Sequence, residues 1–123
     1  RPPPEMSKRI LIVEDDTAVL DGFSLILRKA GYEVSASIDG NQLLNAQFDL
    51  PDLIILDKQL SGVDGLDICR YLKSKAETSH IFIVMTSATP HVARLAADAL
   101  ADAFIEKPFN NNELVAVVKK LLP

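Results

Sequence analysis

The 123-residue chain is predicted to fold as one doubly wound α/β domain, a five-stranded parallel sheet with five helices on its two faces. Three observations predict this. Short apolar runs rich in β-branched residues recur along the chain and read as strands buried on both faces. Each is followed by a segment whose apolar residues keep helical spacing. The connections between them are only a few residues long.

Ile10-Leu11-Ile12-Val13 is the first such strand. A helix follows from about Thr17 to Ala30, with Leu20, Phe23, Leu27 and Ala30 on one face and Gly31 as its stop. Tyr32–Ile38 alternates as a second strand, and Asp39–Phe48 is a weaker helix anchored by Leu43 and Leu44. After Pro51, Leu53-Ile54-Ile55-Leu56 forms a third buried strand, and Asp64–Lys75 a helix burying Leu66, Ile68, Cys69 and Leu72. Ile81–Met85 is the fourth strand. Thr89-Pro90 resembles a cap followed by proline in the first helical position, opening an alanine-rich helix that runs to about Leu100. Ala103–Glu106 is the fifth strand. Asn110 and Glu113 have capping-box spacing before a helix whose Leu114, Val117, Val118 and Leu121 form one stripe. Residues 1–7, opening Arg1-Pro2-Pro3-Pro4-Glu5, read as a linker or tag remnant with Met6 as a native start, and residues 8–123 as the domain.

Composition narrows the function. Hydrophobic residues make up 48% and charged residues 24%, which suits a globular domain and excludes wholesale disorder. Thirteen basic against seventeen acidic side chains leave a net charge of −4, so a broad nucleic-acid or anionic-membrane surface is not expected. The single cysteine, Cys69, excludes an internal disulfide framework and multi-cysteine metal sites, and its apolar helix face makes it a small core residue. No apolar run approaches the roughly 20 residues of a membrane span, and no secretory signal opens the chain, so a cytoplasmic domain is expected.

In open α/β sheets, ligands gather beyond the carboxyl ends of the strands. Here those ends carry Glu14-Asp15-Asp16, Asp57, Thr86 and Lys107. Each alone has an ordinary structural role: Asp16 caps the next helix, Asp57 makes a turn, Thr86 ends a strand, and Lys107 is a loop lysine. Their placement together on one rim points to a site. Two carboxylates about 4 Å apart repel by roughly 4 kcal/mol at an effective dielectric of about 20. If Glu14, Asp15 and Asp57 converge, some must protonate or a cation must sit among them, and Lys107 neutralises only one charge. Hard oxygen ligands with no histidine or cysteine nearby select Mg²⁺, which keeps room for water and a phosphoryl oxygen. A glycine-rich phosphate loop after the first strand is absent, and the three acidic residues there would repel a nucleotide or flavin phosphate.

The segments "ILIVEDD", "PDLIILDKQLSGVDGLDICRYLK", "IFIVMTSA" and "AFIEKPF", in this order and spacing from Lys8 to Leu122, resemble the receiver domain of two-component response regulators. The resemblance implies a flavodoxin-like sheet in strand order 2-1-3-4-5. It implies that Asp57 is the phosphoacceptor, taking a phosphoryl group from a phosphohistidine on a histidine kinase or phosphotransfer protein. Glu14, Asp15, Asp57 and the backbone carbonyl of Gln59 would hold Mg²⁺, while Thr86 and Lys107 would bind phosphoryl oxygens. Lys107-Pro108 resembles the family's cis peptide. Thr86 and Phe104 would switch the surface of the fourth helix, fifth strand and fifth helix toward an output domain or partner protein. A homodimer through the fourth and fifth helices is compatible with this reading, and direct nucleic-acid or membrane contact is not part of it. The expected role is a phosphorylation-operated signalling domain that catalyses its own phosphotransfer and dephosphorylation, not an enzyme acting on a separate substrate. No output segment is expected within these residues.

Several positions depart from the family pattern. Glu14 stands where aspartate is frequent. Ser61 replaces a common proline, which predicts a looser loop after Asp57. Leu100 replaces a helix-ending glycine, which predicts a less defined terminus. Lys58, next to Asp57, either turns to solvent or competes with the metal. Gln59 and Ala88 occupy positions that influence acyl-phosphate hydrolysis, Gln59 contacting the attacking water and Ala88 leaving its path open. A metal-dependent phosphatase using an aspartyl phosphate would carry a second aspartate where Gln59 stands. A constitutive pseudo-receiver would not need Asp15, Asp57, Thr86 and Lys107 intact. His80 and His91 lack any phosphodonor pattern.

Overall fold

The computed structural model describes residues 7–44 and 49–123. Its main sheet is built from β1 (Arg9–Val13), β2 (Glu33–Ser37), β3 (Leu53–Asp57), β4 (Phe82–Ser87) and β5 (Ala103–Glu106), all parallel, in the order β2-β1-β3-β4-β5. Between them run α1 (Thr17–Lys29), α2 (Asn41–Leu44), α3 (Gly65–Ser74) and α4 (Val92–Asp98), and α5 (Asn111–Leu121) follows β5. The strand order is the one implied by the resemblance. A short antiparallel hairpin joining Gln59–Leu60 to Val63–Asp64 was not anticipated from the sequence. Of residues 1–7, expected to be a linker or tag remnant, residues 1–6 lie outside the described residues, as do residues 45–48 of the helix expected over Asp39–Phe48.

Successive side chains of a strand point to opposite faces, which explains why unbroken apolar runs suit this sheet. Leu11, Val13, Ile54, Leu56, Ile83 and Met85 face one side, against Leu43, Ile68, Leu72, Val92 and Ala96 of α2, α3 and α4. Ile10, Ile12, Leu53, Ile55, Val84 and Ile105 face the other, against Leu20 and Leu27 of α1 and Leu114 and Val118 of α5. Cys69 is fully buried and donates to the Ala99 carbonyl at 3.3 Å. Burial pushes its thiol up to about 11, so it packs as a core residue. β2 pairs with β1 alone and is the half-exposed edge. Ile38, which the alternation put in this strand, falls past its end and is 57% exposed.

The caps follow local chemistry. Asp16 accepts from the Ala18 and Val19 N–H groups at the start of α1, and Asp64 from Leu66 at the start of α3. Asn110 and Glu113 form the complete capping box of α5. At the end of α1, Gly31 (φ 102°) lets Tyr32 N–H reach the Leu27 carbonyl and its own N–H reach Arg28, a Schellman closure.

Two expectations about α4 are corrected. Thr89-Pro90 does not open the α-helix. The Thr89 N–H is taken by the Ser87 hydroxyl, and the Thr89 and Pro90 carbonyls accept from Val92 and Ala93 in tight three-residue turns. The α-helix begins only at Val92, after His91, which makes no side-chain cap. Nor is the far end of α4 undefined. Leu100 adopts φ 70°, and Ala101 and Leu100 donate to the Ala96 and Ala97 carbonyls at 2.9 and 3.0 Å, the same closure that Gly31 makes.

A left-handed leucine costs about 1–2 kcal/mol, and a side chain 65% exposed recovers little of it by packing. Leu100→Gly is therefore expected to raise stability by about 1 kcal/mol after glycine's own entropy is counted. Urea unfolding midpoints of the two proteins check this.

Candidate functional site

The parallel sheet delivers the polar residues that follow its strands to a single carboxyl edge. β1 ends at Val13, so Glu14 and Asp15 leave from its tip. The Glu14 N–H still bonds the Ser37 carbonyl of β2 at 3.1 Å, which holds that tip in line with the sheet. Asp57 is the last residue of β3 and lies in register with Thr86 of β4. Lys58 N–H donates to the Thr86 carbonyl, and Lys107 N–H to Ser87, so the backbone pairing of β3–β4–β5 continues into the rim. The Lys107-Pro108 peptide is cis.

These ends bring together Glu14, Asp15 and Asp57, with one carboxylate oxygen of each within 4.8 Å of the others. Lys107 Nζ sits 2.7 Å from Glu14 Oε1 and 3.2 Å from Asp57 Oδ1. The Thr86 hydroxyl donates to the same Asp57 Oδ1 at 3.3 Å. Glu14, Asp57 and Thr86 are 3%, 7% and 1% exposed, so these contacts operate largely out of water. Lys107 thus touches two carboxylates while carrying one charge, and Glu14 is its nearer partner. The extra methylene of glutamate lets the side chain emerging from β1 meet the ammonium arriving from the end of β5.

Burial pushes the Asp57 carboxyl above its ordinary range. Lys107 opposes this, Glu14 reinforces it, and the hydrogen bonds from Lys107 and Thr86 oppose it further, with the net shift upward. For Lys107, burial works against the charged form, but the hydrogen bond it donates to Glu14 and the charges of Asp57 and Glu14 outweigh it and raise its pKa. Fully ionised, the three carboxylates exceed the one ammonium by two charges, the charge of one divalent cation. Oxygen donors at this spacing fit Mg²⁺.

Other predicted residues frame the cluster. Gln59 opens the hairpin just after β3, and Phe104 lies half-buried on β5 in register with Met85, packed against the core on the α4 side. Lys58 takes neither of its expected courses: its Nζ pairs with Asp64 Oδ2 at 3.1 Å, across the base of the hairpin. The looser loop expected from Ser61 is also corrected. Ser61 N–H and Oγ both donate to Asp15 Oδ2, at 3.1 and 3.0 Å. Sequence reading missed both contacts because their partners are distant in sequence or lie across a turn that had not been foreseen. Beyond Lys107 the rim opens into an apolar cleft of about 380 Å³, lined by Val19, Phe23, Ala88, Pro108 and Phe109 as well as the lysine stem.

Gly65 sets how closely α3 approaches the rim. Its N–H bonds the Lys58 carbonyl at 2.8 Å, and a Cβ there would overlap the Asp57 carbonyl oxygen and crowd Lys58 Cα. Gly65→Ala should displace the end of β3 and lower stability by about 2 kcal/mol, measurable by chemical denaturation. The raised Asp57 pKa has a defined sign. The folded state holds that proton more tightly, so stability is lost as pH rises from the ordinary aspartate value, about 3.9, through the folded one. In EDTA, Asp57→Asn should exceed the parent in stability at pH 7, with the gap closing below about pH 4. Unfolding midpoints across that range test it.

The response regulator receiver domain family model matches residues 10–119. The DNA-binding response regulator MtrA of Mycobacterium tuberculosis is 36% identical over 118 residues, covering 95% of this chain and 51% of that protein. This chain therefore spans about half the length of the curated relatives it matches. Among solved structures, a response regulator from Chloroflexus aurantiacus superposes with a TM-score of 0.88 at 34% identity, covering 94% of this chain and 98% of that one. The receiver domain of the sensor histidine kinase PA1611 from Pseudomonas aeruginosa, solved with a magnesium ion in its active-site cleft, has a TM-score of 0.84 at 25% identity, with 94% and 98% covered. Sheet order, acidic pocket and these matches agree, and the chain belongs to the response regulator receiver domains of two-component signal transduction systems.

Proposed function

We propose that this domain accepts a phosphoryl group on Asp57 from the phosphohistidine of a histidine kinase or phosphotransfer protein. The observation that carries the reading is the asymmetry of the Asp57 carboxylate. Lys107 and Thr86 both bind Oδ1, and Oδ2 has no protein donor among the described residues. Since no fully buried side-chain oxygen among the described residues lacks a partner, Oδ2 keeps some exposure to solvent and is free to act as nucleophile. It attacks phosphorus, an O–P bond forms as the N–P bond breaks, and the electron pair of that bond stays on the imidazole, which leaves as the neutral ring with the proton already on its other nitrogen. Lys107 and Thr86, already at the carboxylate, bind the oxygens of the arriving group, so catalysis is positioning and charge neutralisation.

Glu14, Asp15 and Asp57, with the Gln59 backbone carbonyl, would hold Mg²⁺, which when bound supplies positive charge against the phosphoryl oxygens. The spacing of the three carboxylates supports this set, as does the magnesium ion in the cleft of the PA1611 receiver. Turning Thr86 toward a phosphoryl oxygen would free space behind it for Phe104 to move inward, biasing the α4–β5–α5 surface toward an output domain or partner protein. We place the domain in the cytoplasm, where such kinases present their phosphohistidine; among the described residues no helix is long and apolar enough to cross a membrane. Gln59 orients the water that hydrolyses the acyl phosphate, with Ala88 leaving its path open.

Intact mass after incubation with Mg²⁺ and acetyl phosphate tests the acceptor. One phosphoryl group should be gained, it should require Mg²⁺, and it should vanish in Asp57→Asn. A parent protein that gains none and binds neither Mg²⁺ nor beryllofluoride would instead be a constitutive binding module. Gln59→Ala should slow autodephosphorylation severalfold, followed by decay of the phosphorylated mass; an unchanged rate removes Gln59 from the hydrolysis step.

A further inference from the structure

The three carboxylates of the pocket are not held alike. Glu14 and Asp57 are buried and share the Lys107 ammonium, whereas Asp15 is exposed and meets no cation among the described residues. Two negative charges lie within 4.8 Å of it, and open water lies on its other side. Repulsion alone would turn the side chain outward. What opposes this is the tip of the short hairpin, 46 residues away in sequence.

The hairpin's Leu60↔Val63 pair leaves Ser61-Gly62 as a two-residue turn. Gly62 has φ 80°, while Ser61 is not among the residues of positive φ, the pattern of a type II turn that favours glycine in the second place. The N–H of the first turn residue points away from the hairpin and needs an outside acceptor. Asp15 Oδ2 provides it, and the Ser61 hydroxyl adds a second bond to the same oxygen. At its base the hairpin is clamped by the Lys58–Asp64 ion pair. Both contacts fall on Oδ2, leaving Oδ1 free of protein donors among the described residues.

We infer that Ser61 is a positioning residue of the divalent-cation site, holding Asp15 beside Glu14 and Asp57 before any ion arrives. The inference rests on the reading that these three carboxylates bind Mg²⁺. Carboxylates that ligate metals are commonly fixed by such outer hydrogen bonds, and losing one weakens metal affinity by about 10–100-fold. Ser61→Ala keeps the backbone donor, so the lower end, about tenfold, is expected.

Calorimetric Mg²⁺ titration of the full chain, its Ser61→Ala and Ser61→Thr variants and Asp15→Asn tests this, with urea midpoints in EDTA as a check on folding. The expected result is a roughly tenfold weaker Kd in Ser61→Ala, restored by Ser61→Thr, with the metal-free midpoint held. Parent-like or tighter binding by Ser61→Ala overturns the inference, and so does a loss that threonine does not restore or that follows a falling midpoint. If the parent chain itself binds no Mg²⁺, the metal-site reading fails and the role of Ser61 fails with it; a parent that binds while Ser61→Ala binds equally well sinks only the latter.

Discussion

Lys107 is the contact on which the pocket depends. One ammonium, 2.7 Å from Glu14 and 3.2 Å from Asp57, allows two nearly buried carboxylates to sit side by side at the edge of an apolar sheet. Remove it in thought and two buried anions face each other, a condition that protonation or chain movement would relieve. With it in place, one Asp57 oxygen is engaged and the other left open, and the remaining imbalance equals the charge of one divalent ion. The same group thus holds the site together and, in the function proposed above, would meet the oxygens of an incoming phosphoryl group.

The apolar interior is what places that ammonium. β1, β3 and β4 are buried on both faces, so their polar residues are driven to the strand ends, and parallel pairing aligns those ends on one edge. Asp57 is in register with Thr86, and Thr86 with Ile105, two residues before Lys107. Backbone bonds from Lys58 to Thr86 and from Lys107 to Ser87 carry this alignment past the last residues of the strands. Gly65 brings α3 hard against the Asp57 backbone.

The side toward Asp15 is built differently. There a two-residue turn closes the rim, clamped at its base by Lys58–Asp64 and at its tip by Ser61–Asp15. Lys58 therefore steadies the loop through Asp64, and Ser61 ties a loop that its departure from proline had suggested was slack. The pocket has one buried wall fixed by packing and charge, and one exposed wall fixed by hydrogen bonds that water can contest.

Much was legible from the chain alone, and for a common reason: it depends on neighbours in sequence. Strand runs, the Asp16 cap, the Gly31 stop, the Asn110–Glu113 capping box and the core placement of Cys69 follow from residues within about one helical turn or one strand. The set Glu14, Asp15, Asp57, Thr86 and Lys107 was legible because doubly wound sheets send every strand end to the same edge. Local rules failed where a distant or competing partner intervened. Thr89-Pro90 resembled a helix start, but the chain there is spent in tight i→i+3 turns and the α-helix opens only at Val92, and Leu100 accepted a left-handed backbone so that α4 could close before β5. The sequence by itself determined which elements form and which chemistry collects at the rim. Tertiary structure alone decided which oxygen of Asp57 stays open, that Lys107 bridges two carboxylates, and that Ser61 holds Asp15, because each is a side-chain contact between residues 29 to 93 positions apart, whose geometry exists only once the sheet has assembled.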